Sequence, residues 1–402
     1  MVFVGIDWAD SEHEIYLLSR DGTELACFRV PHTRQGLETL KKRLLQHVNV
    51  PEEALCFLET SQGLLVQFLL ENGFPVYPLN PKVVDYRRKP SGAKSDAIDA
   101  RLLADIGRSD FRRLRRLNPD SEHIQELKTL CRDQDALLED VTRLTNRLTA
   151  CLKEYYPVAL ELFSRLTLPV TLAFLRTYPT LEAARKASIS ELVSFLKAHR
   201  HPQPELAAQR IYAKLEAPQL EARPAVARAK SRFMLVLVAQ LEPLLEAVKE
   251  YDEEITRLFK SHPDSPIFAS LPGAGIRLAP RLLAGWGDDR SRYENAAAVQ
   301  ALAGTSPVLY QSGKYRFARQ RRACVKFLRR ALHLFAFQSA RLVPWAQDYY
   351  QRKRAAGKTH HEALRALANI WVRIIFAMWL NRRPYDESVF LAAKAKHAPL
   401  VA

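Results

Sequence analysis

Val2-Phe3-Val4-Gly5-Ile6-Asp7 opens the chain with five apolar or small residues and then an acid. A run this short, apolar throughout and closed by a charge, reads as a buried strand. Glu14–Ser19 and Thr23–Val30 read as two more strands, joined by Asp21-Gly22, a strong hairpin turn signal. Three strands in succession therefore form a meander. Thr33 then caps a helical segment that carries Leu37, Leu40, Leu44 and Leu45 on one face. Leu55–Glu59 is the fourth strand, residues 61–72 a helix ended near Gly73, and Val76–Leu79 the fifth strand. The order β-β-β-α-β-α-β predicts an α/β domain over residues 1–120.

Beyond Pro119 the pattern changes to long helical periodicity. Leu127, Leu130, Leu137, Val141, Leu144, Leu148, Cys151 and Tyr155 recur at alternating three- and four-residue steps, interrupted only by Gln134. That is a heptad seam. A second seam runs Met234, Leu237, Leu241, Leu244, Val248, Tyr251, Ile255 and Leu258, with Pro243 a candidate kink inside it. The two predict a helical coiled-coil arm over 121–262, with a helical insert at 157–227 between them. An antiparallel hairpin, a dimerising coiled coil and two helices of an ordinary bundle all satisfy this periodicity. The third region, 263–402, opens with Leu271-Pro-Gly-Ala-Gly275, which suits a phosphate-holding helix-hairpin-helix turn or a simple packing turn. After a Gly/Ser/Pro-containing stretch at 304–313 the remainder reads as helical, so the fold class is α/β plus α.

Composition bounds the function. Of 402 residues, 48% are hydrophobic and 26% charged, close to the globular average. Lys and Arg number 60 against 44 Asp and Glu, a net charge of +16 that points to a polyanionic partner, either nucleic acid or an anionic membrane surface. A membrane-spanning role is disfavoured because apolar runs such as Phe233–Ala239 stop at seven residues, far short of the roughly 18–20 that a span needs. The N-terminus reaches a charge at Asp7 with no basic segment before it, unlike a signal peptide. Cys27, Cys56, Cys131, Cys151 and Cys324 are odd in number and scattered, which predicts a reducing, cytoplasmic location with no disulfide frame. The eleven histidines show no metal-ligand spacing.

Asp7 ends the first strand and Glu59 the fourth, so both carboxylates emerge at one sheet edge if those strands are neighbours. Asp96 and Asp99 are three apart at a helix start and share a face. Four acids converging on one point repel unless cations neutralise them. Two Mg²⁺ ions about 4 Å apart would do so and would clamp the attacking and leaving oxygens of a phosphodiester.

Taken in order, hydrophobic-Gly5-Ile6-Asp7, Leu58-Glu-Thr-Ser-Gln-Gly63, Leu79-Asn-Pro81 and Lys94-Ser-Asp-x-x-Asp-Ala-Arg101-Leu-Leu-Ala104 resemble the DEDD transposases of the insertion-sequence-110 family. Leu271-Pro-Gly-x-Gly275, Ala303-Gly304, Pro307 and Gln311-Ser-Gly313 resemble that family's C-terminal transposase domain. The likeness covers about residues 1–125 and 265–385. It implies an RNase H-like, Holliday-junction-resolvase-type N-terminal domain in which Asp7, Glu59, Asp96 and Asp99 hold Mg²⁺. It also implies a mostly helical C-terminal transposase domain whose serine, Ser312 by motif match, attacks DNA and becomes covalently joined to it. Family members are guided by a structured non-coding RNA that pairs with donor and target DNA, and they act as homo-oligomers, between dimer and tetramer. This chain departs from many relatives at Cys324, where they carry glycine.

Ser312 also has credentials of its own. Gly313 after it permits close backbone approach to a phosphate, and Lys314 and Arg316 beside it are placed to stabilise developing phosphoryl charge. Thr305 and Ser306 are rival hydroxyls in the same stretch. Residues 314–330 carry Lys314, Arg316, Arg319, Arg321 and Arg322 among Tyr315, Phe317 and Phe327, a mixture suited to phosphate and base contacts. Arg87, Arg88, Lys89 and Lys94 form a second basic cluster before the paired aspartates. A third, including Arg112 and Arg113, follows them. A solvated helix face is the bland reading of each cluster. Three functions remain open at this point: a recombinase with a phosphoserine–DNA intermediate, a resolvase-like nuclease in which water attacks, and a nucleic-acid-binding protein on a decayed nuclease fold.

Overall fold

The computed structural model describes residues 1–88, 95–118, 120–313 and 315–396. The chain divides into two compact units, Met1–Pro119 and Asp120–Ala402.

The first unit is a five-stranded mixed sheet in the order β3-β2-β1-β4-β5, built from β1 (Val2–Asp7), β2 (Glu12–Leu18), β3 (Glu24–Pro31), β4 (Ala54–Leu58) and β5 (Val76–Pro78). The apolar opening strand β1 is central: it pairs antiparallel with β2 and parallel with β4. Alternate residues of β1 face opposite ways. Val2, Val4 and Ile6 join a core with α1 (Arg34–Leu45) and α2 (Leu64–Glu71), whereas Phe3 packs with α3 (Pro81–Arg88) and α4 (Asp96–Asp110). Thr33 caps α1 as the sequence predicts, accepting from the Gly36 N–H at 3.1 Å. Leu37, Leu40 and Leu44 are buried, but Leu45 lies off that face and is exposed. Gly5 is where α4 meets the sheet. A Cβ there would overlap the carbonyl oxygen of Ala100 and stand 2.6 Å from the Ala104 nitrogen, so only glycine admits the helix this close.

The second unit is organised by two long helices, α5 (Glu122–Tyr155) and α11 (Pro224–Ser261), the latter continuous through Pro243. They pack antiparallel within one chain: His123 contacts Leu258, Gln134 contacts Val248 and Cys151 contacts Lys230. Gln134, the break in the first seam, is fully buried and satisfied, donating to the Val248 carbonyl and to Asp252 while accepting from Arg281 at 2.6 Å. Five short helices, α6 (Ala159–Leu162), α7 (Pro169–Thr177), α8 (Leu181–Arg185), α9 (Ile189–Ala198) and α10 (Pro204–Glu216), close a core over the Val141–Tyr155 and Met234–Val248 stretches. The opposite ends of α5 and α11 enter a second core with α12 (Ser265–Ala269), α13 (Gly275–Trp286), α14 (Ala296–Leu302), α15 (Lys326–Leu342), α16 (Pro344–Ala355) and α17 (His360–Asn381). The turn before α13 packs inward: a Cβ at Gly273, whose φ is +82°, would stand 2.9 Å from Leu342. Helix α17 has the length and mean hydropathy, 1.5, of a membrane span, with half of that window buried in the second core. Helix α18 (Glu387–Lys396) ends the described chain.

One expectation needs correction. The sequence after residue 313 reads as helical, but β6 (Val308–Ser312) and β7 (Tyr315–Arg319) form a two-stranded hairpin before α15 begins. Gly313 at φ +56° turns the chain, and every described residue from Leu309 to Arg319 is exposed, so the segment is a solvent-facing ribbon and not a helix face.

Candidate active site

The register Gly5↔Phe57 between parallel β1 and β4, continued by two residues, sets Asp7 beside Glu59 at one sheet edge. Helix α4 supplies the other two acids. Ser95 caps its N-terminus, accepting from the Ile98 N–H at 3.3 Å, so Asp96 and Asp99 fall in the first turn, where the positive end of the helix favours carboxylates. The contact of Ala100 with Gly5 brings that turn against β1. Asp7, Glu59, Asp96 and Asp99 line one cleft of about 420 Å³, together with Trp8, Glu12, His13, Glu14, Arg29 and Arg88.

The electrostatics of this cleft are unbalanced toward negative charge. Burial, then the charges of Asp99, Asp96 and Glu59, push the Asp7 carboxyl from 3.8 up to about 6, against a smaller opposing pull from Arg88. Asp99 is 5% exposed and accepts from the Arg88 guanidinium at 2.7 Å. Glu14 stands directly opposite Asp7 in the β1–β2 register, and Arg29 of β3 pairs with it while lying 4.0 Å from Asp96. Two carboxylates facing each other across strands repel, and the Arg29 pairing offsets that repulsion.

Among the described residues no three carboxylate, histidine or cysteine side chains gather tightly enough to hold one ion as they stand. The donor chemistry nevertheless fits a divalent cation. Four hard carboxylates share one cleft, and burial together with the charges of its neighbours raises the Asp7 carboxyl. Arg88 and Arg29 supply some positive charge in this arrangement.

Ser312 closes β6 in the second unit, opposite Tyr315, with its neighbour Gln311 opposite Arg316. It is exposed at the hairpin turn. Of its rivals, Thr305 is buried and spends its hydroxyl on Asn369 at 2.9 Å and the Gln300 carbonyl, and Ser306 is half-buried behind it. Behind Ser312, Tyr310 and Phe317 stack at 5.4 Å with their planes 6° apart, and Arg319 covers both rings at 5.2 and 4.9 Å. The Cys324 side chain is seated on Gly304, where a Cβ would lie 2.8 Å from its sulfur.

The basic residues fall into different settings. Arg88 is committed to Asp99, and Arg87 pairs with Asp110 at 3.0 Å. Arg112 and Arg113 are exposed on a single 3-10 turn, and Arg316, Arg319 and Arg322 are exposed, whereas Arg321 is half-buried. Lys89, Lys94 and Lys314 lie outside the described residues. Sequence reasoning missed Arg29, Glu14, His13 and Trp8 in the cleft, and it missed Gly5 as the seat of α4. Counting the antiparallel register back from the Asp21-Gly22 turn would have exposed Glu14. A glycine inside an apolar strand was the signal for the helix contact.

Comparison with known proteins identifies the family. A family model described as a transposase, the DEDD transposase of the IS110 type, matches residues 4–157, and one described as transposase IS116/IS110/IS902 family matches residues 265–351. The chain is 32% identical over 395 residues to a "Mini-circle putative transposase for IS117" of Streptomyces coelicolor, covering 96% of this chain and 95% of the relative. It is 32% identical over 304 residues to an IS110 insertion-element protein of the same organism, covering 74% and 73% of the two chains. A pilin gene-inverting protein of Moraxella bovis is 26% identical over 154 residues, 36% of this chain and 47% of that protein.

Proposed function

Because the chain belongs to the IS110 family of transposases, enzymes that cleave and rejoin DNA, we propose that it mobilises its own insertion element by a serine-dependent transesterification at the acidic cleft. The observation that carries this reading is the convergence of Asp7, Glu59, Asp96 and Asp99 on one cleft, with Asp7 raised to about 6 by burial and by the charges of the other three. The first unit, with its 3-2-1-4-5 mixed sheet and helices on both faces, is read as the RNase H-like catalytic domain. The helical stretch 121–262 is read as an arm, and 263–402 as the domain carrying the serine.

In this reading the four carboxylates hold Mg²⁺, which when bound neutralises the phosphodiester oxygens and lowers the cost of charge developing at phosphorus. Asp7 must be ionised to contribute. The Ser312 oxygen attacks phosphorus, its proton passing to a base. A serine–phosphate ester forms, the bond from phosphorus to one deoxyribose oxygen breaks, and that oxygen leaves as a hydroxyl after taking up a proton. Attack by a second DNA hydroxyl then reverses the step and frees Ser312. Arg316, Arg319, Arg322, Arg112 and Arg113 neutralise phosphates on either side, which accounts for part of the +16 surplus. The same surplus suits a non-coding guide RNA pairing with donor and target DNA, and the family resemblance implies a homo-oligomer of two to four copies.

The test is a denaturing gel of protein incubated with Mg²⁺, guide RNA and DNA bearing the element's ends. A covalent protein–DNA adduct that forms with the wild type and is lost in both Ser312→Ala and Asp7→Asn is the expected result. An adduct unchanged in Ser312→Ala overturns the serine assignment. Cleavage with no adduct in any variant assigns the attack to water instead.

A further inference from the structure

We infer that Trp8 is a stacking platform for an unpaired nucleobase of the strand whose phosphate is bound at the acidic cleft. The inference rests on the reading of that cleft as the phosphodiester site. Of the five tryptophans in the chain, Trp286, Trp345, Trp371 and Trp379 are at most 6% exposed, whereas Trp8 is 46% exposed. An indole held in water is unfavourable unless something covers it. Its place in the fold says what does. Trp8 follows Asp7 directly and lines the same cleft as the four carboxylates, so whatever phosphate they hold brings its own base or its neighbour's within reach of the indole. A base offers a flat π-face of the right size, and stacking on an aromatic side chain tolerates any sequence.

The loop is also built to keep the indole there. The Ala9 N–H donates to His13 Nδ1 at 3.3 Å, which leaves the His13 proton on Nε2 to be donated to His32 Nδ1 at 2.8 Å. The His32 backbone N–H in turn donates to the Ser11 carbonyl at 2.7 Å. His13 is fully buried, and a chain of this polarity requires its neutral form. The backbone on both sides of Trp8 is thereby held, by strand pairing at Asp7 and by this histidine relay from Ala9 to Ser11, so the segment that carries the indole is in place before the ligand arrives. Bases inside a duplex are already stacked on each other. Occupation of Trp8 therefore requires the strand at the cleft to be unpaired at that nucleotide.

Trp8 is the one tryptophan exposed to solvent, so intrinsic fluorescence reads it directly. Titration of the full-length protein with single-stranded oligodeoxythymidine should quench the solvent-exposed part of the emission saturably in the wild type. Trp8→Phe should bind with little change in affinity and lose that quenching, and Trp8→Ala should bind about 10- to 100-fold more weakly with an unchanged melting curve. In cleavage assays Trp8→Ala should raise KM by a similar factor more than it lowers kcat, with Trp8→Phe restoring it. Absence of quenching in the wild type, quenching that persists in Trp8→Phe, or wild-type affinity in Trp8→Ala overturns the inference. The reading of the cleft fails separately, by undiminished cleavage in Asp7→Asn, whatever Trp8 does.

Discussion

Gly5 of β1 and Ala100 of α4 touch backbone to backbone: a Cβ on Gly5 would fall on the Ala100 carbonyl oxygen. That contact lies two residues from Asp7 along the strand and one from Asp99 along the helix, so it sets how the two acids stand to each other. Gly5→Ala should push α4 off the sheet and destabilise the first unit by about 1–3 kcal/mol, the usual cost of overpacking. Thermal melts read that loss. Because the displacement moves Asp96 and Asp99 together, cleavage should fall by more than the stability change explains.

Asp7 provides a pH prediction whose sign follows from its raised carboxyl. The folded state binds this proton more tightly than the unfolded chain, where the value is near 3.8, so the stabilising contribution is full at low pH and is lost as pH rises through about 6. Without divalent cations, Asp7→Asn should therefore melt higher than wild type at neutral pH and converge with it near pH 4. Mg²⁺ should remove the difference by stabilising only the wild type. At limiting Mg²⁺ cleavage should rise with pH, since the ionised carboxylate is the form that takes the ion, and saturating Mg²⁺ should move that rise to lower pH. A wild-type melt indifferent to Mg²⁺ at neutral pH counts against the metal site.

The elements that place the four acids were legible because each rests on a local signal: the apolar run ending at Asp7, the Asp21-Gly22 turn, Thr33 as a cap, and the three-residue spacing of Asp96 and Asp99 at a helix start. Parallel pairing of β1 with β4 was legible only as a condition, since register is a property of two strands and not of either. Arg29 and Glu14 escaped because the Asp21-Gly22 turn sets them opposite each other, whereas their place beside Asp7 depends on the pairing of β2 with β1. The hairpin of β6 and β7 escaped for another reason: Tyr315–Arg319 places Arg319 on the face of Tyr315 and Phe317 and Arg316 beside Ala318 on the other, so neither face reads as a core, and the basic run through Arg330 masked the two-residue period. Gln134 was legible as a break in a seam, but its partners Val248, Asp252 and Arg281 are brought to it by tertiary packing alone.

Arg88 stands on Asp99 where a cation is needed, with Arg88 about a fifth exposed and the carboxylate nearly buried. Arg88→Gln leaves Asp99 beside Asp7 with less compensating charge. It should lower the stability of the metal-free protein by on the order of 2 kcal/mol, less than the roughly 3–5 kcal/mol for a fully buried pair because Arg88 is partly exposed. Mg²⁺ should recover most of that loss and should bind the variant more tightly than the wild type, because the guanidinium no longer competes for the carboxylate. Calorimetric Mg²⁺ titration of the two proteins measures the difference, and a variant that binds Mg²⁺ more weakly would place Arg88 on the side of the ligand instead.

The last prediction concerns the ribbon that carries Ser312. Tyr310 and Phe317 sit directly across from each other, stacked, exposed, and covered by Arg319. A cross-strand aromatic pair of this kind contributes roughly 0.2–1 kcal/mol to the hairpin, which packs on nothing else along its exposed length. Its removal is therefore a local event. The double variant Tyr310→Ala, Phe317→Ala should leave the global melt within about 2 °C of wild type, since the cores of the second unit do not include either ring. DNA affinity should fall about 10-fold or more, because both the stacking faces and the seat of the Arg319 guanidinium are lost. Arg319→Gln alone should weaken binding less and flatten its salt dependence by about one phosphate contact. A filter-binding series over salt concentration separates the two effects. Affinity retained in the double variant would show that the ribbon positions Ser312 by backbone alone.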